Sequence, residues 1–532
     1  MRLINLWRQE GTWQRWPGYV WAFGAFARIN ESRFMLGERL VALIPGGGAF
    51  LPPPLRGNRM RPGDGWLPAV LALGTSITLL AAPWPQNLFL ILTATAFIVA
   101  LLKPAIGMGL LVFSVPIQSV GEHQLGSLHL TVTRAVLIGL ITAWVLRTTT
   151  LRRGFRLGLV EGMFGLHVAV LALSIVNARD SAAWGSELYR WWSALVVYVI
   201  AITTIRDVRS SIPILVATIA GVAGTSLLGF YQVAAGLGPA SFSVGGLVRA
   251  FSTFGQPNPF AGYLEVTVPL LAALAASWVG GPWRSQLRLT YGDRLLGASA
   301  AAAVMGLGAL VLTQSRGGWI GMACGLAVVV WMVGGAVRWS AVGAGALVAI
   351  MVVATPVGGR LASRLGESEL RSGEGVQVTV ANFAVQERLA HWRAGLEMVR
   401  RHPLLGVGAG NFSAVYREVT PVWRFRVSRG HAHNAYIHAA AQTGLTGLST
   451  YLLFLGAMAL RLRGALRAAT DGPGRPLVIG AIGVTVAISM HNIFDYLHVL
   501  SLPVQLSAVW AIAGAASIER ELTGAHVPGA AA

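Results

Sequence analysis

The sequence predicts an all-α, polytopic helical membrane protein with about 12–14 transmembrane helices and one large extracytoplasmic loop. Three observations predict it. The 532 residues are 54% hydrophobic and only 12% charged, where a soluble domain carries roughly 25% charged residues. That much apolar surface exceeds what a water-soluble core can bury. The apolar runs are long and continuous, not alternating, which selects helices over a closed barrel. Most arginines sit between these runs, as in loops facing anionic lipid. The formal charge of +20 therefore has a membrane explanation, and no nucleic-acid partner is implied. The single cysteine, Cys324, allows no intrachain disulfide.

A span needs roughly 18–20 apolar residues, with shorter ones tolerated at Pro or Gly breaks. On that rule the candidates lie near 66–83, 85–102, 104–119, 129–146, 157–177, 189–204, 211–235, 257–280, 294–313, 317–336, 339–357, 433–460, 476–491 and 498–517. Arginine placement orients them. Arg147, Arg152, Arg153 and Arg156 share one loop, Arg284, Arg288 and Arg294 another, and Arg461, Arg463, Arg467 and Arg475 a third. If every span crosses once, all three loops and both termini fall on one side, which is the cytoplasmic one. Residues 1–65 form an Arg-rich cytoplasmic segment, 66–244 an N-terminal helical region, and 245–520 the region holding the motifs below.

The opposite side then holds 178–188, 236–256, 314–316, 492–497 and the long segment 358–432. Loops of that length are usually functional or disordered. From Phe383, the apolar residues Leu389, Trp392, Leu396 and Val399 recur at helical spacing among Arg388, Arg393, Arg400 and Arg401. They predict an amphipathic helix lying on the outer surface or capping a cavity.

Five motifs on this outer side could carry chemistry. Thr313-Gln-Ser-Arg316-Gly-Gly-Trp319 joins two spans. An arginine there faces a polar cavity or snorkels to headgroups, and its glycines permit a sharp turn or close ligand approach. Arg249 precedes Pro257-Asn258-Pro259. It could bind an anion as a fork, while Asn258 suits a helix cap. His402 to Phe412 carries three alternate glycines; with no strand before them, a tight re-entrant turn is the better reading than a phosphate loop. His431-Ala-His433-Asn434-Ala-Tyr-Ile-His438 opens a span and is followed by Gly444 and Gly447. At about 100° per residue these glycines return to the face of His433 and predict a groove of small residues below a histidine. That histidine could be a general base or belong to a polar helix start. A zinc site from His431, His433 and His438 is disfavoured, because no carboxylate lies near in sequence. His491-Asn-Ile-Phe-Asp495 closes the set; Asp495 could orient a histidine, balance an arginine, or be a solvated turn.

Together these motifs resemble the O-antigen ligase and polymerase superfamily of bacterial membrane glycosyltransferases, from about 245 to 500. The most specific piece is His433-Asn434, nine residues, then Gly444-Leu-Thr-Gly447. The Ser-Arg-Gly-Gly turn, the Arg388–Phe412 stretch and Pro-Asn-Pro at 257–259 support it. The resemblance implies transfer of a glycan from an undecaprenyl-diphosphate donor to an acceptor hydroxyl, at the outer face of the cytoplasmic membrane. It implies His433 as base, Arg316 and Arg249 on the leaving diphosphate, and Arg388, Asn434, His491 and Asp495 in substrate binding. No cofactor or metal is implied. The acceptor could be a lipid A-core sugar, another lipid-linked glycan or a protein hydroxyl, as in a ligase, a polymerase or a protein O-oligosaccharyltransferase. A secondary transporter or lipid flippase is the reading from another class. It would require ionisable residues near the bilayer midplane, where the sequence offers mainly Glu161 and Glu265.

Overall fold

The computed structural model describes residues 84–119, 122–125, 128–151, 158–244, 246–340, 383–420, 425–469 and 472–524. The expected segment 1–65, the span at 66–83, most of the span at 339–357 and the 358–382 part of the large loop lie outside these residues. The protein is an all-α, polytopic helical membrane protein. Among the described residues, strands are confined to two short antiparallel hairpins, β1 (His123–Leu125) with β2 (Leu128–Leu130), and β3 (Ser243–Val244) with β4 (Leu247–Val248).

The N-terminal helices follow their stop signals. Helix α1 (Trp84–Leu102) ends at Lys103, and Pro104 opens α2 (Pro104–Ser114), because a proline cannot continue the preceding helix. Helix α3 (Val132–Thr150) is capped by the Thr131 hydroxyl, which accepts from the Arg134 amide. Then come α4 (Leu159–Leu173), α5 (Ser181–Thr204), capped by Asp180, and α6 (Ile212–Ala234).

The second half contains α7 (Pro257–Gly280), α8 (Arg284–Thr313), α9 (Arg316–Val333), α10 (Phe383–Arg401), α11 (Phe412–Val419), α12 (Ala435–Ala468), α13 (Arg475–His491) and α14 (Leu502–Gly524). The Arg-rich stretch expected as a loop at 281–294 is already helical: α8 starts at Arg284 and breaks only at Gly292. Among the described residues, seven helices are long and apolar enough to cross a membrane, and four shorter apolar helices accompany them. Helix α5 has the length of a span, but its first half carries Glu187 and Arg190.

Helix α7 is the hub. In its most apolar stretch 83% of residues are buried, against 33–50% for the other six. It packs on α8, α9 and α13, while α9 lies along α13. Small residues allow this approach: a Cβ on Gly325 would stand 2.5 Å from the Gly483 carbonyl. One end of this helix cluster carries most of the motifs.

Helix α12 departs from the expected continuous span. Gly444 adopts φ +70° and breaks it. The break lets the segment after α10 pair with the α12 backbone: Val407 N donates to Ala441 O at 3.0 Å, Gly408 N to Gln442 O at 2.9 Å and Leu445 N to Pro403 O at 2.8 Å. A Cβ on Gly444 would sit 2.1 Å from the Leu404 carbonyl oxygen, and one on Gly447 1.7 Å from the Thr443 hydroxyl. These glycines therefore do not line an open groove below His433. They make room for a bend and for the loop clamped into it. Gly444→Ala is expected to lower the thermal midpoint in detergent. The left-handed backbone alone costs about 1–2 kcal/mol and the backbone collision adds about 1–3 kcal/mol. An unchanged midpoint would refute the clamp.

Candidate active site

The site forms where the N-terminal ends of α7, α9 and α12 and the C-terminal end of α13 meet helix α10. Its centre is Asp495, in the loop after α13. His433 Nδ1 lies 3.2 Å from Asp495 Oδ1, and the Tyr496 amide donates to that oxygen at 2.9 Å. The other oxygen, Oδ2, accepts from Asn258 Nδ2 at 2.5 Å, and Asn258 Oδ1 accepts from Arg249 Nη2 at 3.1 Å. A continuous polar line thus runs Arg249–Asn258–Asp495–His433. Asn258 is not the helix cap that its position suggests; Gln256 occupies that place, and the Asn258 carboxamide faces the site.

Local backbone explains how His433 reaches Asp495. His433 precedes the helix, and Asn434 caps it by accepting from the Tyr436 and Ile437 amides. Asn434 Nδ2 donates to Ile493 O at 3.0 Å, and the Ala435 amide to Asn492 O at 2.8 Å. The start of α12 is therefore sewn to the loop that carries Asp495. Both ends of the Asn434 carboxamide are engaged within the protein. His433 itself holds φ +52°, one of four non-glycine residues with positive φ among those described. Such strain costs on the order of 1–3 kcal/mol and persists only where neighbours enforce it. With Nδ1 directed at Asp495, Nε2 is buried and has no hydrogen-bond partner among the described residues.

The arginines converge from distant segments. Arg249 Nε donates to Thr313 O at 2.7 Å, which ties it to the turn before Arg316. That turn is made by Gln314, at φ +51°, and Ser315 caps α9. Gly317 and Gly318 do not turn the chain, as their placement suggests. They are helical and let α9 close on its neighbours; a Cβ on Gly317 would meet His491 Nε2 at 2.7 Å. Arg316 is exposed. Arg388, on α10, donates through Nε to Phe494 O at 3.2 Å. Burial lowers the Arg249 pKa, and the nearby Arg388 and Arg316 charges push it the same way while Asp495 pulls back. Three cations thus crowd one carboxylate, an arrangement that calls for an anion.

Helix α10 caps the site. Its buried face is Ala390, His391, Ala394 and Met398, against α11 and α12, while Leu396 of the expected apolar stripe is exposed. Trp392 Nε1 donates to His433 O at 3.1 Å. Gly406, Gly408 and Gly410 make the tight turn that follows, with φ of +63°, +96° and +74°. Asn411 then accepts from the Arg179 and Asp180 amides and fastens this turn to the start of α5.

His491 is buried beneath the arginines, 1% exposed, with Nδ1 2.7 Å from Glu265 Oε2. Glu265 is thereby paired. Glu161 bonds the Gly158 amide and lies 3.7 Å from Arg461. A further buried acid escapes sequence reading: Glu187 accepts from Tyr496 and Trp191 and pairs with Arg190.

Burial opposes ionisation of Asp495, but the hydrogen bond with His433 and the adjacent His431, His433 and His491 outweigh it and hold the carboxyl well below its usual range. Burial pushes the His431 imidazole down to about 4, despite Asp495 beside it. The sign of the consequence is clear. Between about 6.5 and 4 the unfolded chain takes up a proton at His431 that the folded chain refuses, so stability falls as pH is lowered through that window. His431→Asn is expected to flatten that acid limb in a plot of thermal midpoint against pH. An unaltered limb would remove His431 as its cause.

His431, His433 and Asp495 offer three ligand atoms within 4.8 Å of one another. Asp495 thus supplies the carboxylate that the sequence lacks nearby, in place of His438.

Residues 301–452 match the family model described as O-Antigen ligase (Wzy_C). No curated protein matches the chain.

Proposed function

We propose, from the match of residues 301–452 to the O-antigen ligase family model, that this multi-pass membrane protein is a glycosyltransferase that moves a glycan from an undecaprenyl-diphosphate donor to an acceptor hydroxyl. The reaction occurs at the outer face of the bacterial cytoplasmic membrane. The observation that carries the reading is the polar line from Arg249 through Asn258 and Asp495 to His433. It joins a base to a seat for an anion.

In this mechanism His433 Nδ1–H donates to Asp495, which leaves Nε2 as the acceptor that takes the proton of the attacking hydroxyl. The hydroxyl oxygen bonds to the sugar's anomeric carbon as the bond from that carbon to the lipid diphosphate breaks. The diphosphate gains the electron pair, and Arg316, Arg249 and Arg388 stabilise its growing charge. Asn258 and Asn434 position these groups. The histidine and arginines need no metal for this step. His491 supports α9 from below through its pair with Glu265, as a positioning residue.

The test is transfer by the purified chain from an undecaprenyl-diphosphate-linked oligosaccharide, without nucleotide and with EDTA present. Lipid A-core, a second lipid-linked glycan and a serine/threonine peptide are offered separately. Product with one acceptor supports the reading and names a ligase, polymerase or protein glycosyltransferase. Loss of product on EDTA treatment would overturn the metal-free step. No product with any acceptor, from folded protein, would favour transport.

A further inference from the structure

A second built cavity lies at the opposite helix ends. It has a volume of about 290 Å³ and is formed by α1, α2, α3 and α5. Helix α5 gives the separation. It starts at Asp180, clamped by Asn411 on the active-site side, and reaches the cavity at Thr203 and Thr204. At 1.5 Å per residue that is about 35 Å away, close to the thickness of a bilayer core.

The cavity has two chemistries. Part of the lining is cationic and rich in donors. Arg147 Nη1 is held by the Leu101 carbonyl at 2.5 Å, and Arg206 Nε by the Thr203 carbonyl at 3.3 Å. Trp144 Nε1 donates to the Thr203 hydroxyl at 2.9 Å. A guanidinium has five N–H donors, and among the described residues each arginine side chain is anchored by one hydrogen bond, which leaves other donors for a ligand. Among the described residues, no acid lines the cavity. Apolar residues, among them Leu140 and Ile200, make up another part, and the flanking segments expose Leu102, Val145 and Leu151.

We infer that this cavity binds the phosphate of an anionic phospholipid, with the acyl chains lying along the exposed apolar flank. Paired arginines match a phosphate, and an indole beside them suits the headgroup level. The apolar wall has no role for a free phosphate but suits the glycerol and first methylenes of a lipid. The Arg-rich loops place this end on the side where anionic lipids lie. The site is independent of the transfer reaction.

The test uses the full chain in detergent, titrated separately with phosphatidylglycerol, phosphatidylcholine and inorganic phosphate, with lipid occupancy read by native mass spectrometry. Wild type is expected to bind phosphatidylglycerol saturably and phosphatidylcholine more weakly. Arg147→Gln combined with Arg206→Gln should weaken phosphatidylglycerol binding about tenfold or more. Ala105→Phe, which fills the cavity without touching charge, should weaken it as well. Arg206→Gln alone, at an exposed position, serves if the others fail to fold, and should weaken binding in the same direction. Equal phosphatidylglycerol affinity across wild type and folded variants would overturn the site. Displacement of the lipid by millimolar inorganic phosphate would overturn the lipid as its ligand.

Discussion

His433→Ala is expected to lower the rate of glycan transfer by about 10²–10⁴-fold, the usual contribution of a positioned base, while the protein still inserts and binds donor. The ring has one nitrogen on Asp495 and the other buried, with no partner among the described residues. Its removal costs the chemistry more than the packing. Asp495→Asn should fall in the same range, because an amide can donate to Nδ1 and hold the wrong tautomer. The double variant should be little worse than either single one, since the pair acts as a unit. Rates measured under donor saturation decide it. Wild-type turnover by His433→Ala would end the base assignment, and full additivity of the two losses would end the dyad.

Arg316→Ala should cost about 10²–10³-fold, the size seen when one donor to a developing oxyanion is removed. The loss should appear in donor parameters and leave acceptor KM nearly unchanged. Arg316 is the cleanest of the three arginines to test. It is exposed, whereas Arg249 also holds the Thr313 carbonyl and Asn258. Arg316→Lys discriminates further: a lysine keeps the charge and loses the fork, so partial activity would assign the balance to charge. An unchanged donor KM and kcat for Arg316→Ala would exclude it from the site.

Sequence reading reaches the helical class and the residues now gathered around Asp495. Apolar run length and arginine placement are local signals, and His433, Arg316 and Arg249 stand out as polar groups beside apolar runs. What it misses depends on contacts between distant segments. Asn258 looks like a cap because proline follows it, and only the approach of Asp495, 237 residues on, reveals its other role. Helical periodicity carries α12 straight through Gly444, since spacing does not report a positive φ. The α10 stripe misleads for a related reason. Small residues face the protein there, because close helix approach favours alanine and glycine over leucine, and Leu396 is left outside.

The loop at 492–501 also bears on how the protein is made. Asp495 meets Asn258, Tyr496 meets Glu187, and Ser501 meets Gln118 across 383 residues. A chain emerging from the ribosome can thread its early helices long before any of these partners exists. The loop acts as a keystone, and His433 and Asn258 lack their Asp495 partner until this loop has been made. Enzymatic competence therefore arrives at the end of biogenesis, and a chain truncated before Asp495 would reach the membrane inert.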